Sequence, residues 1–317
     1  MHEAVGFAHV RILVTNDDGV SAPGLAALTR ALERWTLAEA EVGLNHQIVV
    51  VAPSSNYSGA GAAVGSIDAR TTIAYRRCTV EGAESVEAYG LDASPALSVI
   101  AGALGAVGPK PDLVLSGINH GVNVGRSVLH SGTVGAALTA SQLGISALAV
   151  SLRTGGDPDP WEAAADLAVS LLPVLTGAPV RTVLNLNVPA LALGEIRGVR
   201  WARVSGAGLI KSASGVLGPA TPAEGEMDGP AAFEGSRAVM EGSVSDRGEI
   251  VLTVGSAIPG ANEVGMADTS EDADLVARGY ATLTALRGPR ADDDPDLLGV
   301  LDAGLTEALK PFGLSTH

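Results

Sequence analysis

Two adjacent carboxylates, Asp17 and Asp18, follow the apolar run at residues 12–14 and are followed by Gly19. An apolar run of this kind is typical of a strand buried on both faces, and the polar residues mark the point where it leaves the core. Two carboxylates this close repel each other unless a cation or a shared proton relieves them. The pair has two interpretations: half of a site for a hard divalent cation, which prefers oxygen ligands, or a turn with a helix N-cap, which Asp and Asn also suit.

Two further apolar runs end in polar residues. Residues 47–53 lead into a loop that contains Ser58, and residues 112–116 lead into a turn that contains Asn119. In an open parallel sheet, ligands bind beyond the carboxyl ends of the strands, so these side chains are expected to meet there. Together they would form an oxygen-only shell with positions left for water and substrate. The predicted metal ligands are Asp17, Asp18, Ser58 and Asn119.

The next segment carries groups suited to an anion. Ser131, Gly132 and Thr133 precede a helical run, and a helix N-terminus offers free N–H groups and the positive end of its dipole. The Asn123 amide could add a donor, whereas Ser131 alone could be an N-cap and Gly132 alone a packing glycine. A cation beside an anion cradle, without a basic cluster, predicts phosphate ester chemistry in which the cradle stabilises the developing oxyanion.

Other active-site types lose support from the sequence. His120 and His130 flank the predicted site and could act as general acid, although single histidines more often make structural hydrogen bonds. The six histidines show no H-x-x-x-H zinc spacing. The G-x-S-x-G, G-x-x-x-x-G-K-[ST] and strand-linked G-x-G-x-x-G motifs are absent from the sequence, which disfavours a serine hydrolase, a P-loop enzyme and a dinucleotide-binding domain.

Composition limits the partners. The formal net charge of −15 argues against a nucleic-acid partner, because phosphate backbones are bound by clustered Lys and Arg. A single cysteine, Cys78, excludes an internal disulfide framework and a multi-cysteine zinc site. No apolar run reaches the roughly 18 residues of a membrane span, and residues 1–7 lack a signal-peptide pattern. We therefore expect a cytoplasmic protein that acts on a small-molecule phosphate ester.

The elements that must position these residues alternate along the chain. Strands are predicted at 12–14, 47–53, 112–116, 147–152 and 183–189, with two short ones at 71–75 and 85–89, and helices at 25–35, 95–104, 131–143 and 161–175. This alternation, with strands that are apolar throughout, predicts a three-layer α/β/α fold with a mainly parallel, Rossmann-like sheet.

Beyond Pro189 the composition changes. Residues 206–249 are rich in Gly, Ser, Ala and Glu and predict an extended excursion, either a hairpin or a loop. A strand at 250–254, a helix at 274–278, a strand at 280–284 and a last helix at 297–309 follow. We therefore divide the chain into an α/β catalytic core, 1–190, and a C-terminal extension, 191–317, with a hairpin and helices.

The motifs resemble those of the SurE family of nucleoside-monophosphate phosphatases. They are residues 12–19, 51–53 with Ser58-Gly59, 116–125 and 131–137, with weaker likeness at 186–189 and 277–280. The resemblance implies a three-layer fold whose C-terminal portion mediates homodimers or homotetramers. It also implies a 5′/3′-nucleotidase dependent on Mg²⁺ or Mn²⁺, often of broad substrate range.

Carried over by position, the family's residues give a complete site. The implied metal ligands are Asp17, Asp18, Ser58 and Asn119; one of the two aspartates also assists the attacking water or nucleophile, and Asn123, Ser131, Gly132 and Thr133 hold the phosphate. A phosphatase specialised for a biosynthetic phosphate ester and a non-catalytic phosphate- or nucleotide-binding module are the alternatives.

The chain departs from the family pattern in three places. Residues 94–97 read Ser-Pro-Ala-Leu where the family usually has Thr-Pro-x-Asp, and Tyr57 stands where a basic residue is usual. The glycine-rich segment 206–249 replaces an aromatic, basic hairpin. These departures concern leaving-group recognition and subunit contacts, whereas the metal and phosphate residues are retained.

Overall fold

The structure is a computed structural model that describes residues 9–68, 70–155, 159–206, 210–219, 248–256 and 270–288. Its strands are β1 (Arg11–Thr15), β2 (Gln47–Pro53), β3 (Tyr75–Cys78), β4 (Glu87–Leu91), β5 (Leu113–His120), β6 (Ser146–Leu152), β7 (Val183–Val188), β8 (Val199–Trp201), β9 (Ile210–Pro219), β10 (Gly248–Ser256) and β11 (Ala281–Leu286). Its helices are α1 (Pro23–Glu41), α2 (Pro95–Ala103), α3 (Gly132–Gln142), α4 (Trp161–Ser170), α5 (Leu172–Gly177) and α6 (Asp272–Ala277), with 3-10 turns at Gly125–His130 and Leu193–Glu195.

One nine-stranded sheet has the order β3-β4-β2-β1-β5-β6-β7-β11-β8. The strands from β4 to β7 in this order run parallel, and β3 and β11 are antiparallel to their neighbours β4 and β7. The chain builds outward from β1 to β2 and β4, then crosses back to β5 and continues the other way. The reversal between β1 and β5 is the position where an open α/β sheet binds its ligand.

Helices cover both faces of the sheet. Alternate side chains of β1 enter opposite cores: Ile12 packs in a cluster with α1 and α4, whereas Leu13 packs in a cluster with α2 and α3. Both side chains are fully buried, so the strand is apolar on both faces, as a covered parallel strand requires. The predicted three-layer α/β/α fold with a mainly parallel sheet is confirmed.

Some predicted boundaries were wrong. The helix predicted over 161–175 is two helices, because Pro173 lacks the N–H that would continue α4 and lies instead in the first turn of α5. The strand predicted at 71–75 begins only at its last residue, where β3 pairs with β4. The three residues of β8 are too few to show a periodic pattern, and sequence reasoning missed them.

The C-terminal part contributes to the same sheet and to a separate hairpin. Strands β8 and β11 extend the sheet beyond β7, and β9 pairs with β10 in an antiparallel hairpin at the edges of the predicted excursion. The predicted helix at 297–309 lies outside the described residues. No helix in the described ranges is both long and apolar enough to cross a membrane.

Candidate active site

An open cleft of about 470 Å³ lies at the carboxyl ends of the central strands. The loops after β1, β2 and β5 and the start of α3 all contribute side chains to it. Five of the eight predicted metal and phosphate residues line this cleft: Asp17, Ser58, Asn119, Asn123 and Ser131. The structure therefore brings residues from four separate segments to one place, which we call the first cleft.

The turn after β1 is closed by Asn16. Its side-chain amide donates to the Gly19 carbonyl at 2.9 Å, and its side-chain oxygen accepts from the Gly19 N–H at 3.2 Å. The N-cap of α1 is Ala22, which makes no side-chain capping bond. Asn16 thus closes the turn and Ala22 is the helix N-cap, the two roles that were the alternative interpretation of Asp17 and Asp18. Both carboxylates are therefore available for another role.

Asp17 is 3% exposed and lies at the N-terminus of α3. The Thr133 hydroxyl donates to its Oδ1 at 2.5 Å. Burial raises the pKa of Asp17, and the charge of Asp18 raises it further, while the hydrogen bonds from Thr133 act in the opposite direction. Ionising this carboxyl in the folded protein therefore costs free energy unless a cation supplies the countercharge.

Gly132 allows α3 to approach Asp17 closely. A Cβ built on this glycine would lie 2.7 Å from Asp17 Cβ and 2.8 Å from Asp17 Oδ2. Gly132 and Thr133 were predicted to hold phosphate, but neither is among the residues that line the cleft, and Thr133 is fully buried. The Thr133 hydroxyl donates to Asp17 and so helps to fix the position of the carboxylate, and the phosphate role of Gly132 and Thr133 stays a prediction.

Asp18 lies beside the first cleft and lines an adjoining one. Its Oδ2 accepts the backbone N–H of His120 at 3.2 Å, which ties the end of β5 to the end of β1. The His120 Nε2 lies 3.0 Å from Oδ2 of Asp159, a partner that sequence reasoning missed. His120 lines both clefts, and His130 lines the first.

A register shift in β5 presents Asn119 to the cleft. The pairing of β5 with β6 shifts between Ser116 and Asn119, and Gly117 lies so close to β6 that an added Cβ would be 2.3 Å from the Val150 carbonyl oxygen. The Asn119 side-chain nitrogen donates to the Gly121 carbonyl at 2.6 Å. This bond occupies the amide nitrogen, so the side-chain oxygen is the atom suited to a cation.

Buried amides of β7 hold Asn123 in place. The Asn123 N–H donates to Oδ1 of Asn187 at 2.7 Å, and its carbonyl accepts from the side chains of Asn187 at 3.1 Å and Asn185 at 2.9 Å. Its own side-chain nitrogen donates to Ser151 Oγ at 2.8 Å. Both strand asparagines are fully buried. Two amides inside an otherwise apolar strand were a visible signal of this network in the sequence.

The segment between Asn123 and α3 is anchored at both ends. The buried Asp272, at the start of α6, accepts the N–H groups of Gly125 and Ser205 at 3.1 Å and 3.0 Å. Ser131 is the N-cap of α3 and accepts the Val134 N–H at 3.1 Å, yet it also lines the cleft. The N-cap interpretation of Ser131 is confirmed, and it is compatible with a contact to an anion.

Further cleft residues escaped the sequence reasoning. They include Arg153 and Thr154, which directly follow β6. The sequence could have indicated both residues, because they follow a predicted strand. The carboxyl end of β6 is adjacent to that of β5 and therefore belongs to the same edge of the sheet. Arg153 adds a cationic side chain to a cleft whose predicted residues are acidic or neutral.

The side chains at this edge offer a donor set that suits a hard divalent cation. Asp17, Asp18, Ser58 and Asn119 present carboxylate, hydroxyl and amide oxygens, the ligands that Mg²⁺ and Mn²⁺ prefer. Among the described residues, no group of three or more His, Cys, Asp or Glu side chains is arranged to hold a metal. Two of the four predicted ligands are of these residue types, and the carboxylate, hydroxyl and amide oxygens of the four suit a hard cation.

Comparisons with known proteins agree with one another. The family model described as Survival protein SurE matches residues 12–209. The 5′/3′-nucleotidase SurE of Yersinia pseudotuberculosis is 39% identical over 196 residues, which cover 61% of this chain and 69% of that protein, and the same values hold for the 5′/3′-nucleotidase SurE of Cronobacter sakazakii. The crystal structure of the Sure protein from Aquifex aeolicus aligns with a TM-score of 0.64 and 26% identity, covering 93% of this chain and 99% of that one.

Proposed function

The chain belongs to the SurE family, whose model covers more than half of it, and from that premise we propose that it is a nucleotide phosphatase. More specifically, it hydrolyses nucleoside 5′- and 3′-monophosphates to nucleoside and phosphate and depends on a divalent cation. The nucleotidase names of the relatives from Yersinia and Cronobacter support the substrate class. The observation that carries the proposal is the convergence of Asp17, Ser58, Asn119, Asn123 and Ser131 on the first cleft.

The first cleft can hold a cation and a phosphate side by side. Asp17, Asp18, Ser58 and Asn119 would hold Mg²⁺ or Mn²⁺ through their oxygen atoms. When bound, such an ion supplies positive charge that polarises the phosphoryl group and makes a bound water more acidic. The raised pKa of Asp17 supports this assignment, since a buried carboxylate next to Asp18 lacks compensating charge in the protein alone.

The remaining residues bind and orient the phosphate. The Ser131 hydroxyl lies at the N-terminus of α3, where the helix dipole favours an anion. The Asn123 amide lines the same cleft, and its backbone is held by three hydrogen bonds from β7, so it can act as a preorganised donor. One of the two aspartates, Asp17 or Asp18, would also assist the attacking water or nucleophile.

The proposal is tested by phosphate release from a panel of nucleoside 5′- and 3′-monophosphates. Each substrate is assayed with Mg²⁺ or Mn²⁺, then after EDTA treatment, then after the metal is restored. We expect turnover that disappears with EDTA and returns with the metal. A protein that binds nucleotides, as shown by a rise in Tm, but releases no phosphate would be a non-catalytic binding module instead.

The panel also includes non-nucleotide esters, so that the breadth of the activity is measured. A high kcat/KM for one sugar or small-molecule phosphate, with little turnover of nucleotides, would indicate a phosphatase specialised for a biosynthetic intermediate.

The expected homodimer or homotetramer is a separate prediction, which light scattering coupled to size-exclusion chromatography tests.

A further inference from the structure

A second cleft of about 470 Å³ opens beside the first. Asp17 lines the first cleft and Asp18 lines the second, and the Cα atoms of consecutive residues are only about 3.8 Å apart. His120 lines both clefts. The two clefts therefore share a boundary at the Asp17-Asp18 pair and at His120.

An aromatic wall bounds the second cleft. The Trp161 and His120 rings pack with centroids 5.6 Å apart and an interplanar angle of 36°. The His120 ring is oriented by Asp159, and Trp161 packs so closely on Gly24 that an added Cβ there would be 2.8 Å from the indole. A positioned aromatic surface of this kind is what a nucleobase uses for stacking.

The charges in the second cleft favour a neutral group with hydrogen-bond donors. Asp159 contributes a carboxylate that the proposed cation does not use, and Ser21 and Ser54 contribute hydroxyls; Asp18 also lines this cleft but is assigned to the cation. No Lys or Arg is among the described residues that line it, whereas Arg153 lines the first cleft. Carboxylates repel a second phosphate but accept hydrogen bonds from ribose hydroxyls and base N–H groups. The size is within the roughly 300–1,000 Å³ of small-molecule sites.

We propose that the second cleft is the leaving-group subsite, which takes the nucleoside part of a nucleoside monophosphate with its base against Trp161 and His120. This assignment rests on the proposed nucleotidase function and adds the part of the site that distinguishes a nucleotide from a simpler phosphate ester. It also assigns Trp161 a role in substrate specificity. The same lining disfavours substrates with a second phosphate on the nucleoside side.

The test compares two esters in the wild-type protein and in Trp161→Ala. Adenosine 5′-monophosphate carries a base that can stack, whereas glycerol 2-phosphate has a small leaving group without an aromatic ring. We expect the ratio of their kcat/KM values to fall about tenfold in Trp161→Ala, within the range found when a base loses its aromatic partner. Competitive inhibition by adenosine should weaken by a similar factor, and Trp161→Phe should restore most of both effects.

Trp201→Ala is the matched control, because Trp201 is 63% exposed and is not among the residues that line either cleft. Ser21→Phe is a second probe, because Ser21 is exposed and lines the second cleft. The phenyl ring would fill that cleft without removing a core side chain. This variant therefore tests the subsite if Trp161→Ala does not fold. It should lower the same ratio. An unchanged ratio in the folded variants would overturn the subsite. Failure of the nucleotidase proposal looks different, since the wild-type protein would then release no phosphate from adenosine 5′-monophosphate with either metal.

Discussion

The hydroxyl of Thr133 donates a hydrogen bond of 2.5 Å to Oδ1 of Asp17, and this contact joins the first turn of α3 to the end of β1. Because Oδ1 is engaged in this way, the remaining oxygen, Oδ2, is the one suited to a cation. The predicted phosphate cradle and the predicted metal ligand are therefore parts of one unit. A displacement of α3 would move the carboxylate as well.

Thr133→Val tests this contact, because valine keeps the volume of the buried side chain and removes only the hydroxyl. We expect turnover to fall about 10- to 100-fold, the usual cost of losing a group that orients a metal ligand. The free energy of unfolding should fall by about 1–3 kcal/mol, since one oxygen of a buried carboxylate loses its partner. Steady-state kinetics and urea denaturation measure the two effects.

Thr139→Val is the matched control for that variant. Thr139 lies in the same helix and donates its hydroxyl to the Gly135 carbonyl at 2.7 Å, away from Asp17. Turnover should stay at the wild-type level. Equal losses in the two variants would show that a β-branched apolar residue disturbs α3 in general, which would contradict a specific role of the Asp17 contact.

The stability of the metal-free protein should depend on the protonation of Asp17. Its pKa is raised from the ordinary value of 3.8, mainly by burial, so folding favours the protonated form. The linked stability is fully present below the unfolded-state pKa and is lost as the pH rises through the folded-state pKa. In EDTA, Asp17→Asn should therefore gain stability relative to wild type as the pH rises from the ordinary carboxyl pKa through the raised pKa of Asp17.

Thermal unfolding across that pH range, with EDTA, measures the difference in Tm between Asp17→Asn and wild type. Saturating Mn²⁺ should reduce or reverse the difference at neutral pH, because only the wild-type carboxylate gains from the cation. A difference in Tm that is independent of pH would contradict the assignment of the shift to this carboxyl.

Gly132→Ala should lower kcat strongly without unfolding the protein. The added Cβ would lie 2.7–2.8 Å from atoms of Asp17, so either the helix or the carboxylate must shift. Misplacement of a reacting group by about 1 Å can cost about 100-fold in rate, which is the loss we expect in kcat. Gly177→Ala in α5 is the control, since a Cβ added to Gly177 would have no atom within 4 Å, and its kcat should be unchanged.

Asn187→Ala should weaken phosphate binding. It removes both hydrogen bonds that this side chain makes with the Asn123 backbone and leaves the buried Asn123 N–H unpaired, while Asn185 still donates to the Asn123 carbonyl. We expect KM and the inhibition constant for inorganic phosphate to rise about tenfold, and stability to fall by about 2–4 kcal/mol. Thr282→Val, directly opposite on β11, removes a buried hydroxyl that has no hydrogen-bond partner among the described residues, so both constants should be retained.

Asp18→Asn should lower turnover by two or more orders of magnitude with little loss of fold. The amide oxygen of the variant can still accept the His120 N–H, but its nitrogen cannot replace a carboxylate oxygen as a cation ligand. Metal titration followed by activity, with circular dichroism for the fold, makes the measurement. Wild-type turnover in this variant would exclude Asp18 as a metal ligand.

Much of the architecture was determined by the sequence itself. The apolar runs of β1, β2, β5, β6 and β7 predicted buried parallel strands, because burial on both faces leaves a local pattern. Parallel strands end at a common edge, so Asp17, Ser58 and Asn119 were expected to meet, and they line one cleft. These inferences needed only neighbouring residues and one topological rule.

Only the tertiary structure decided which polar groups are hydrogen-bond partners and which cleft each one lines. Thr133 turns toward Asp17 across 116 positions of the chain, and Asn187 holds Asn123 from a strand 64 positions later. Asp18 lies in the second cleft with Trp161, although its neighbour lines the first. Hydrogen-bond partners of this kind depend on helix position and strand register, so residue type and local spacing do not encode them individually.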